Sequence, residues 1–168
     1  GDWSSDVCLP ISSLSKVYKA IDRFSEDVDV TYDIRKIIPD LIDDPNKPYP
    51  PNRSQAKKWT EAVQSRLSGW IRDEVVPLVV DRIASDGIGA ELRLEHDNLH
   101  LDYRAVRSGT GYVRPTVLLE FGARSTGEPA ERRIVRCDLA EAIEGLALPE
   151  AHPRVMTAER TFWEKATA

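Results

Sequence analysis

Hydrophobic residues recur every three or four positions along residues 54–83, and the apolar positions are Trp59, Val63, Leu67, Trp70, Ile71, Val75, Leu78, Val79 and Ile83. This spacing predicts a long amphipathic helix that begins at a Ser54 cap. Pro77 lies inside the pattern and should kink or split the helix near Val76, because proline has no backbone N–H and crowds the preceding turn. Gly87 and Gly89 are expected to end it.

Two shorter helices are predicted before the long one. Ser12 or Ser13 can cap a helix that runs through about Ile21, with Leu14, Val17, Tyr18 and Ile21 on one face. Residues 34–42 form a second short pattern, whose apolar stripe is Ile34, Ile37, Ile38 and Leu41. The following segment, DDPNKPYPPN at residues 43–52, contains four prolines. We therefore expect a loop there, since prolines remove backbone donors and forbid a helix.

The pattern changes from helical to alternating after the long helix. Residues 89–106 alternate and carry a turn signal at Asp97-Asn98, which predicts a β-hairpin. Residues 113–124 have a continuous apolar centre, as a central strand would have. Residues 131–139 alternate again and predict a further strand.

The remaining elements complete a mixed architecture. A strand is predicted at residues 28–32, a short helix at 139–146 and a short strand at 154–156. A last helix is predicted to open at Thr157 or Glu159 and to continue to the chain end. Helices and strands are segregated rather than alternating, so the predicted fold class is α+β, with a mixed or antiparallel sheet covered by helices on one face.

Two acids interrupt the first of these strands. The stretch RFSEDVDV, residues 23–30, places Asp27 and Asp29 two positions apart, so both side chains project from the same face of a strand. Two carboxylates at so short a distance repel each other unless a positive charge lies between them. A divalent cation, which prefers oxygen ligands, is one candidate for that charge. The alternative is a strand end whose acids simply face water.

A third acid lies in the predicted central strand. Glu120 stands between Leu119 and Phe121, and an acid in a buried strand must be ion-paired, protonated or bound to a metal. A salt bridge with Arg124 or another buried arginine is the alternative to a metal. If this strand lies beside the strand of the acid pair, three carboxylates converge, and three such acids can bind two Mg²⁺ ions for phosphoryl or nucleotidyl transfer.

Composition and charge limit the classes of protein that fit. A chain of 168 residues with 41% hydrophobic content can bury the core of one domain. The net charge of −5 provides no general basic field, so any nucleic-acid contact requires a local basic patch. Cys8 and Cys137 are far apart, which argues against a zinc site or a disulfide framework and is typical of a reducing, cytoplasmic compartment. The sequence has no apolar run of membrane-spanning length, and no signal peptide is expected.

Three segments together resemble a known family. SLSKVYKAIDRFSEDVDVTYD at residues 13–33, VRPTVLLEFGARSTGEPAERR at 113–133 and AERTFWEKATA at 158–168 resemble three blocks of the nucleotidyltransferase AbiEii/AbiGii toxin family, in the same order. That family belongs to the polymerase-β-like nucleotidyltransferase superfamily. The resemblance covers about residues 12–168. It implies a polymerase-β-like nucleotidyltransferase fold, in which helices flank a mixed or antiparallel sheet.

The resemblance also implies roles for individual residues. Asp27 and Asp29 match the paired metal-binding acids, and Glu120 matches the third acid on the adjacent strand. These three would be catalytic and would bind Mg²⁺, with two ions expected. Lys165 matches a catalytic lysine that contacts the triphosphate of the nucleotide, a suitable role for a point charge.

The same resemblance assigns nucleotide binding to the first helix. Ser13 and Lys16 match polar positions that follow a Gly-Gly pair in the family, where a hydroxyl and exposed backbone N–H groups suit phosphate. This chain has Pro10 and Ile11 in place of the glycines. Proline has no N–H to donate, and glycine lets a backbone approach phosphate most closely, so the substitution weakens the phosphate cradle.

The implied function is that of an Mg²⁺-dependent nucleotidyltransferase, the toxin component of a toxin–antitoxin or abortive-infection type system. It would transfer a nucleotide from an NTP to an RNA acceptor such as tRNA, or to a protein, and it would have a cognate antitoxin. The alternative is a catalytically inactive or truncated family remnant that acts only as a binding domain. Residues 1–168 are expected to form a single nucleotidyltransferase domain that lacks the native N-terminal lead-in and the C-terminal helical region.

Overall fold

The fold is built on a five-stranded mixed sheet. The computed structural model describes residues 7–8, 17–20, 27–105, 114–123, 129–137, 143, 145, 148 and 150–166. The strands of this sheet are β1 Val7–Cys8, β2 Asp27–Tyr32, β3 Ala90–Glu95, β4 Asn98–Tyr103 and β5 Thr116–Ala123, in the spatial order β1-β2-β5-β4-β3. Only β2 and β5 are parallel, and the other neighbours are antiparallel. The predicted α+β class with a mixed sheet is confirmed, and β5 is central as predicted.

The helices that follow β2 cover one face of the sheet, and a further helix lies near the chain end. They are α1 Ile34–Ile37, a 3₁₀ turn Pro39–Leu41, α2 Arg53–Trp70, a π-helical segment Ile71–Val75, α3 Val76–Ser85 and, near the chain end, α4 Ala158–Ala166. Two small antiparallel pairs stand apart from the main sheet. They join β6 Ala130–Arg132 to β9 Arg154–Met156, and β7 Val135–Arg136 to β8 Glu150–Ala151. In the described part of the chain, no helix is long and apolar enough to cross a membrane.

The long predicted helix is present, and its interruption falls where proline demands it. Asn52 caps α2 by accepting the backbone N–H of Gln55 at 2.9 Å, so the predicted cap at Ser54 is two residues late. Before Pro77 the backbone widens into π-helix, in which the N–H of Val76 donates to the carbonyl of Ile71. Proline has no N–H to donate, and its ring clashes with the carbonyl four residues earlier in a regular α-helix. The wider π-helical turn accommodates Pro77, so the helix continues from α2 into α3.

One face of the sheet forms the core with these helices. Val30, Leu99 and Phe121 alternate inward from three adjacent strands and are nearly or fully buried. Trp70 of α2 packs between Tyr32 and Phe121, with ring centroids 6.3 and 6.4 Å away. This layer confirms the prediction that helices cover one face, and it leaves the polar face of β2, β4 and β5 on the opposite side.

Several local predictions need correction. Residues 17–20 form a turn and a bend rather than part of a helix, and the rest of the predicted helix 12–21 lies outside the described residues. The hairpin turns at His96-Asp97, one residue earlier than predicted, with His96 at φ 55°. The alternating segment 131–139 divides into β6 and β7 rather than forming one strand. The predicted helix 139–146 lies outside the described residues except for single positions.

Candidate active site

The sheet register brings two of the three predicted acids side by side. Asp29 of β2 lies directly opposite Glu120 of β5, and Asp27 lies opposite Leu118. On the other side of β5, Asn98 of β4 lies opposite Glu120. Neighbouring strands are about 4.8 Å apart, so Asp29, Glu120 and Asn98 form a row across three strands. The prediction that the Glu120 strand lies beside the strand of the acid pair is therefore confirmed.

We call Asp29 and Glu120, together with Asp27 on the same face of β2, the acid row, and it lies on the open face of the sheet. Asp27 and Glu120 are exposed and Asp29 is half-buried, because alternation along each strand turns Val28, Leu119 and their like toward the helices. The expectation that Glu120 is buried is therefore wrong. The Glu120 side chain also makes no hydrogen bond or ion pair within the described part of the chain, while Arg124 lies outside it. The salt-bridge alternative requires a cation next to Glu120, and no described residue provides one.

The backbone beside Glu120 leaves room for a ligand. The register between β2 and β5 shifts after Val30, which pairs with Phe121, so that Thr31 pairs with Ala123 and Gly122 is passed over. Gly122 is exposed, and a Cβ placed on it would meet no atom of the described residues within 4 Å. A glycine at a strand irregularity often marks a close backbone approach. Among the described residues, none fills the space over the backbone at Gly122, two residues from Glu120.

Thr31 is a buried polar residue near the end of the acid strand. It lies two residues beyond Asp29, is 1% exposed, and its Oγ1 has no hydrogen-bond partner among the described residues. A buried hydroxyl without a partner costs about 1–3 kcal/mol. Sequence reasoning missed this group because threonine is an ordinary strand residue.

Other charged residues on the same face are already paired with one another. Asp102 accepts hydrogen bonds from the Thr116 hydroxyl and from Arg93, and Arg93 also reaches Glu95 at 2.6 Å. The Thr116 hydrogen bond, followed by the charge and hydrogen bond of Arg93, lowers the pKa of Asp102 below its usual 3.8. The Asp102 carboxylate is therefore hydrogen-bonded and ion-paired, whereas the Glu120 carboxylate on the adjacent strand has no such contact in the described structure.

The paired state of Asp102 predicts a pH effect on stability. Because its folded pKa is lowered, the pair stabilises the folded state above pH 3.8 and loses this contribution as the pH falls through the folded pKa. We expect the stability advantage of the wild type over Asp102→Asn to shrink below about pH 4. Urea midpoints measured at several pH values test this. Thr116→Val, which removes the main cause of the shift, should show an intermediate dependence, and a constant difference between wild type and Asp102→Asn would contradict the assignment.

The residues expected to bind the nucleotide are only partly described. Lys165 lies on α4, which confirms the late helix, but its side chain is outside the described structure. Ser13 and Lys16 lie outside the described residues. The start of α4 is held by Thr157, whose carbonyl accepts the N–H and the hydroxyl of the buried Thr161 at 2.9 and 3.0 Å. The roles of Lys165, Ser13 and Lys16 stay predictions.

Tyr18, which precedes β2, is hydrogen-bonded to β9, the strand that precedes α4. The Tyr18 hydroxyl donates to the carbonyl of Met156 at 2.9 Å and lies 3.3 Å from Glu131, while the Arg133 guanidinium sits over its ring. Burial, followed by the charge of Glu131, raises the pKa of Tyr18 above 10.0. The helical periodicity predicts Tyr18 on a helix face, and no local pattern indicates this link, because its partners are distant in sequence.

The donor set suits a hard divalent cation in part. Among the described residues, no three His, Cys, Asp or Glu side chains form a group ready to hold a metal ion. Mg²⁺, however, is usually bound by one or two carboxylates together with substrate phosphates and water, rather than by an all-protein cage. Asp29 and Glu120 in one register row, with Asp27 beside them, meet that weaker requirement.

One comparison with known proteins gives a match. The family model described as "Nucleotidyl transferase AbiEii toxin, Type IV TA system" matches residues 12–168, almost the entire chain. No curated protein and no solved structure matches. The matched range contains the acid row, the helical layer and α4.

Proposed function

Because this chain belongs to the nucleotidyl transferase AbiEii toxin family of type IV toxin–antitoxin systems, we propose that it transfers a nucleotide from an NTP to a hydroxyl group of an RNA acceptor, in the presence of Mg²⁺. Family membership implies an antitoxin partner. One observation carries the proposal: Asp29 and Glu120 share a register row on the open face of the sheet, where a substrate can reach both.

The chemistry would use this chain's residues as follows. Asp29 and Glu120, with Asp27 beside them, would hold Mg²⁺, which when bound polarises phosphoryl oxygens and neutralises charge on the leaving group. An oxygen of the acceptor forms a bond to the α-phosphorus, the bond from that phosphorus to the oxygen shared with the β-phosphate breaks, pyrophosphate leaves, and the hydroxyl proton passes to water. The exposed face beside Gly122 would admit the acceptor, and Lys165 would attract the triphosphate.

The second candidate is a binding domain without catalytic activity. It is favoured by Pro10 and Ile11, which stand where the family has its glycine pair. An inactive chain would keep the acid row as a remnant and would bind neither NTP nor Mg²⁺ productively. The assay that follows separates the two candidates.

The direct experiment is label transfer. The protein is incubated with Mg²⁺, total RNA and each of the four α-³²P-labelled NTPs in turn, and the products are separated on a denaturing gel. We expect label in RNA with at least one NTP, and none when EDTA removes the metal. A folded protein that transfers no label from any NTP supports the binding-domain candidate. Label found on protein instead of RNA replaces the proposed acceptor.

A further inference from the structure

A cleft with a volume of about 300 Å³ opens next to the end of β2, between the sheet and helix α2. Its apolar floor includes the rings of Tyr32 and Trp59, which are 3% and 7% exposed. The ring of Tyr49 forms part of the wall and is 74% exposed. Tyr49 belongs to the loop between α1 and α2, where flanking prolines 48 and 50 restrict the backbone and hold the wall in place. Aromatic surfaces therefore face the cleft from three separate elements.

Polar groups complete the lining. Gln64 of α2 offers an amide that both donates and accepts hydrogen bonds. Asp97 offers a carboxylate, which the Ser68 hydroxyl already orients, and Arg160 of α4 offers a guanidinium. A ligand here would meet aromatic faces together with a donor, an acceptor and charges of both signs. That combination suits a planar heterocycle with a hydrogen-bonding edge better than an aliphatic side chain.

The size of the cleft limits the ligand. Ligand sites in proteins span about 300–1,000 Å³, and this cleft lies at the lower end of that range. One ring system fits, whereas a length of folded peptide does not. A single base is the group of that size that a nucleotidyltransferase handles on both of its substrates.

The cleft shares a strand and a helix with the candidate active site but opens on the helix-covered face of the sheet. Tyr32 is three residues beyond Asp29 on β2, which at about 3.3 Å per residue is ~10 Å along the strand. Asp97 immediately precedes Asn98, which lies opposite Glu120. Arg160 lies on α4, the helix that also carries Lys165. Asp29 and Tyr32 project from opposite faces of β2, so a nucleotide bound at the acids would have to pass around the carboxyl end of β2 to place its base in the cleft.

We propose that this cleft binds a nucleobase, stacked on the exposed ring of Tyr49 over the apolar floor and hydrogen-bonded at its edge by Gln64 and Asp97. The inference rests on the proposed function and deepens it by naming the group that the chain recognises. The same ring chemistry is present on the incoming NTP and on the acceptor RNA. The test distinguishes these two sources.

The test measures binding rather than transfer, with the full chain and Mg²⁺. Each NTP, and separately a short single-stranded RNA with a free 3′ hydroxyl, is titrated by calorimetry into the wild type, Tyr49→Ala and Gln64→Ala. Both side chains are exposed, so the variants should fold. Tyr103→Ala is the matched control, because Tyr103 is a tyrosine exposed by 42% on β4 and does not line the cleft.

We expect Tyr49→Ala to weaken binding about tenfold, the effect of losing one base–aromatic stacking contact, while Tyr103→Ala binds as the wild type does. Weaker NTP binding assigns the cleft to the incoming nucleotide, and weaker RNA binding assigns it to the acceptor. If the wild type binds NTP and RNA but neither cleft variant differs from it, the cleft inference fails and the proposed function survives. If the wild type binds neither probe, both fail. Binding of N-acetyltryptophanamide without binding of nucleotides would overturn the inference in favour of a peptide side chain.

Discussion

Glu120→Gln is expected to reduce the rate of nucleotide transfer by a factor of about 10²–10³, comparable to the loss of one preorganised electrostatic contact to a transition state. The substitution keeps the size of the side chain and removes the negative charge next to Asp29. Because the Glu120 side chain is exposed and makes no hydrogen bond or ion pair in the described structure, its replacement should not lower the free energy of unfolding. Rates of label transfer under saturating NTP give the measurement.

A matched control exists on the same face of the sheet. Glu91 of β3 is also an exposed strand glutamate, but it lies opposite Asp102, away from the acid row. Glu91→Gln should transfer nucleotide at the wild-type rate, whereas Asp29→Asn should behave like Glu120→Gln. If Glu120→Gln and Glu91→Gln are equally active, the acid row is not the catalytic centre, even if the protein is a nucleotidyltransferase.

Ile71→Ala is expected to have the largest effect on stability. Ile71 begins the π-helical segment, is 0% exposed and packs in the core between the helices and the sheet. Truncating a buried isoleucine to alanine removes transfer free energy and leaves a cavity, for a loss of about 2–5 kcal/mol in the free energy of unfolding. Urea unfolding followed by circular dichroism measures this loss.

Ile88→Ala is the control for this loss. Ile88 follows α3 and is 48% exposed, so the same chemical change should alter stability by no more than about 0.5 kcal/mol. The contrast tests the position of the core rather than the residue type. Similar losses for the two variants would contradict the inward orientation of the π-helical segment.

Much of the helical layer could be predicted from the sequence because its signals are local. The stripe from Trp59 to Val79 repeats every three or four residues, and Pro77 marks its own interruption. The details depend on competing local contacts. Asn52, not Ser54, caps the helix because its side chain reaches the N–H of Gln55, and several polar residues near that point could have done so.

The candidate site could be predicted only up to the register of its strands. The two-residue spacing of Asp27 and Asp29 predicts a shared face, and this follows from the period of a strand alone. Which residue of β5 lies opposite Asp29 depends on a parallel pairing between distant segments, for which the sequence carries no local signal. The exposure of Glu120 was mispredicted for a related reason: apolar neighbours indicate a buried strand, but only the packing decides which of its two faces is covered.

The parallel pairing of β2 with β5 has a consequence for how activity arises during folding. The hairpin of β3 and β4 and its contact with β5 involve neighbouring segments, whereas β2 can reach β5 only after the whole helical layer between them has been spanned. Contacts between distant segments pay their loop-closure entropy before they gain stability, so they form late. Asp29 and Glu120 come from opposite sides of this late contact. A newly synthesised or partly unfolded chain would therefore carry all the acids and yet have no assembled row. Under the proposed function, nucleotide transfer begins only when folding is complete, and destabilising the fold is itself a way to abolish it.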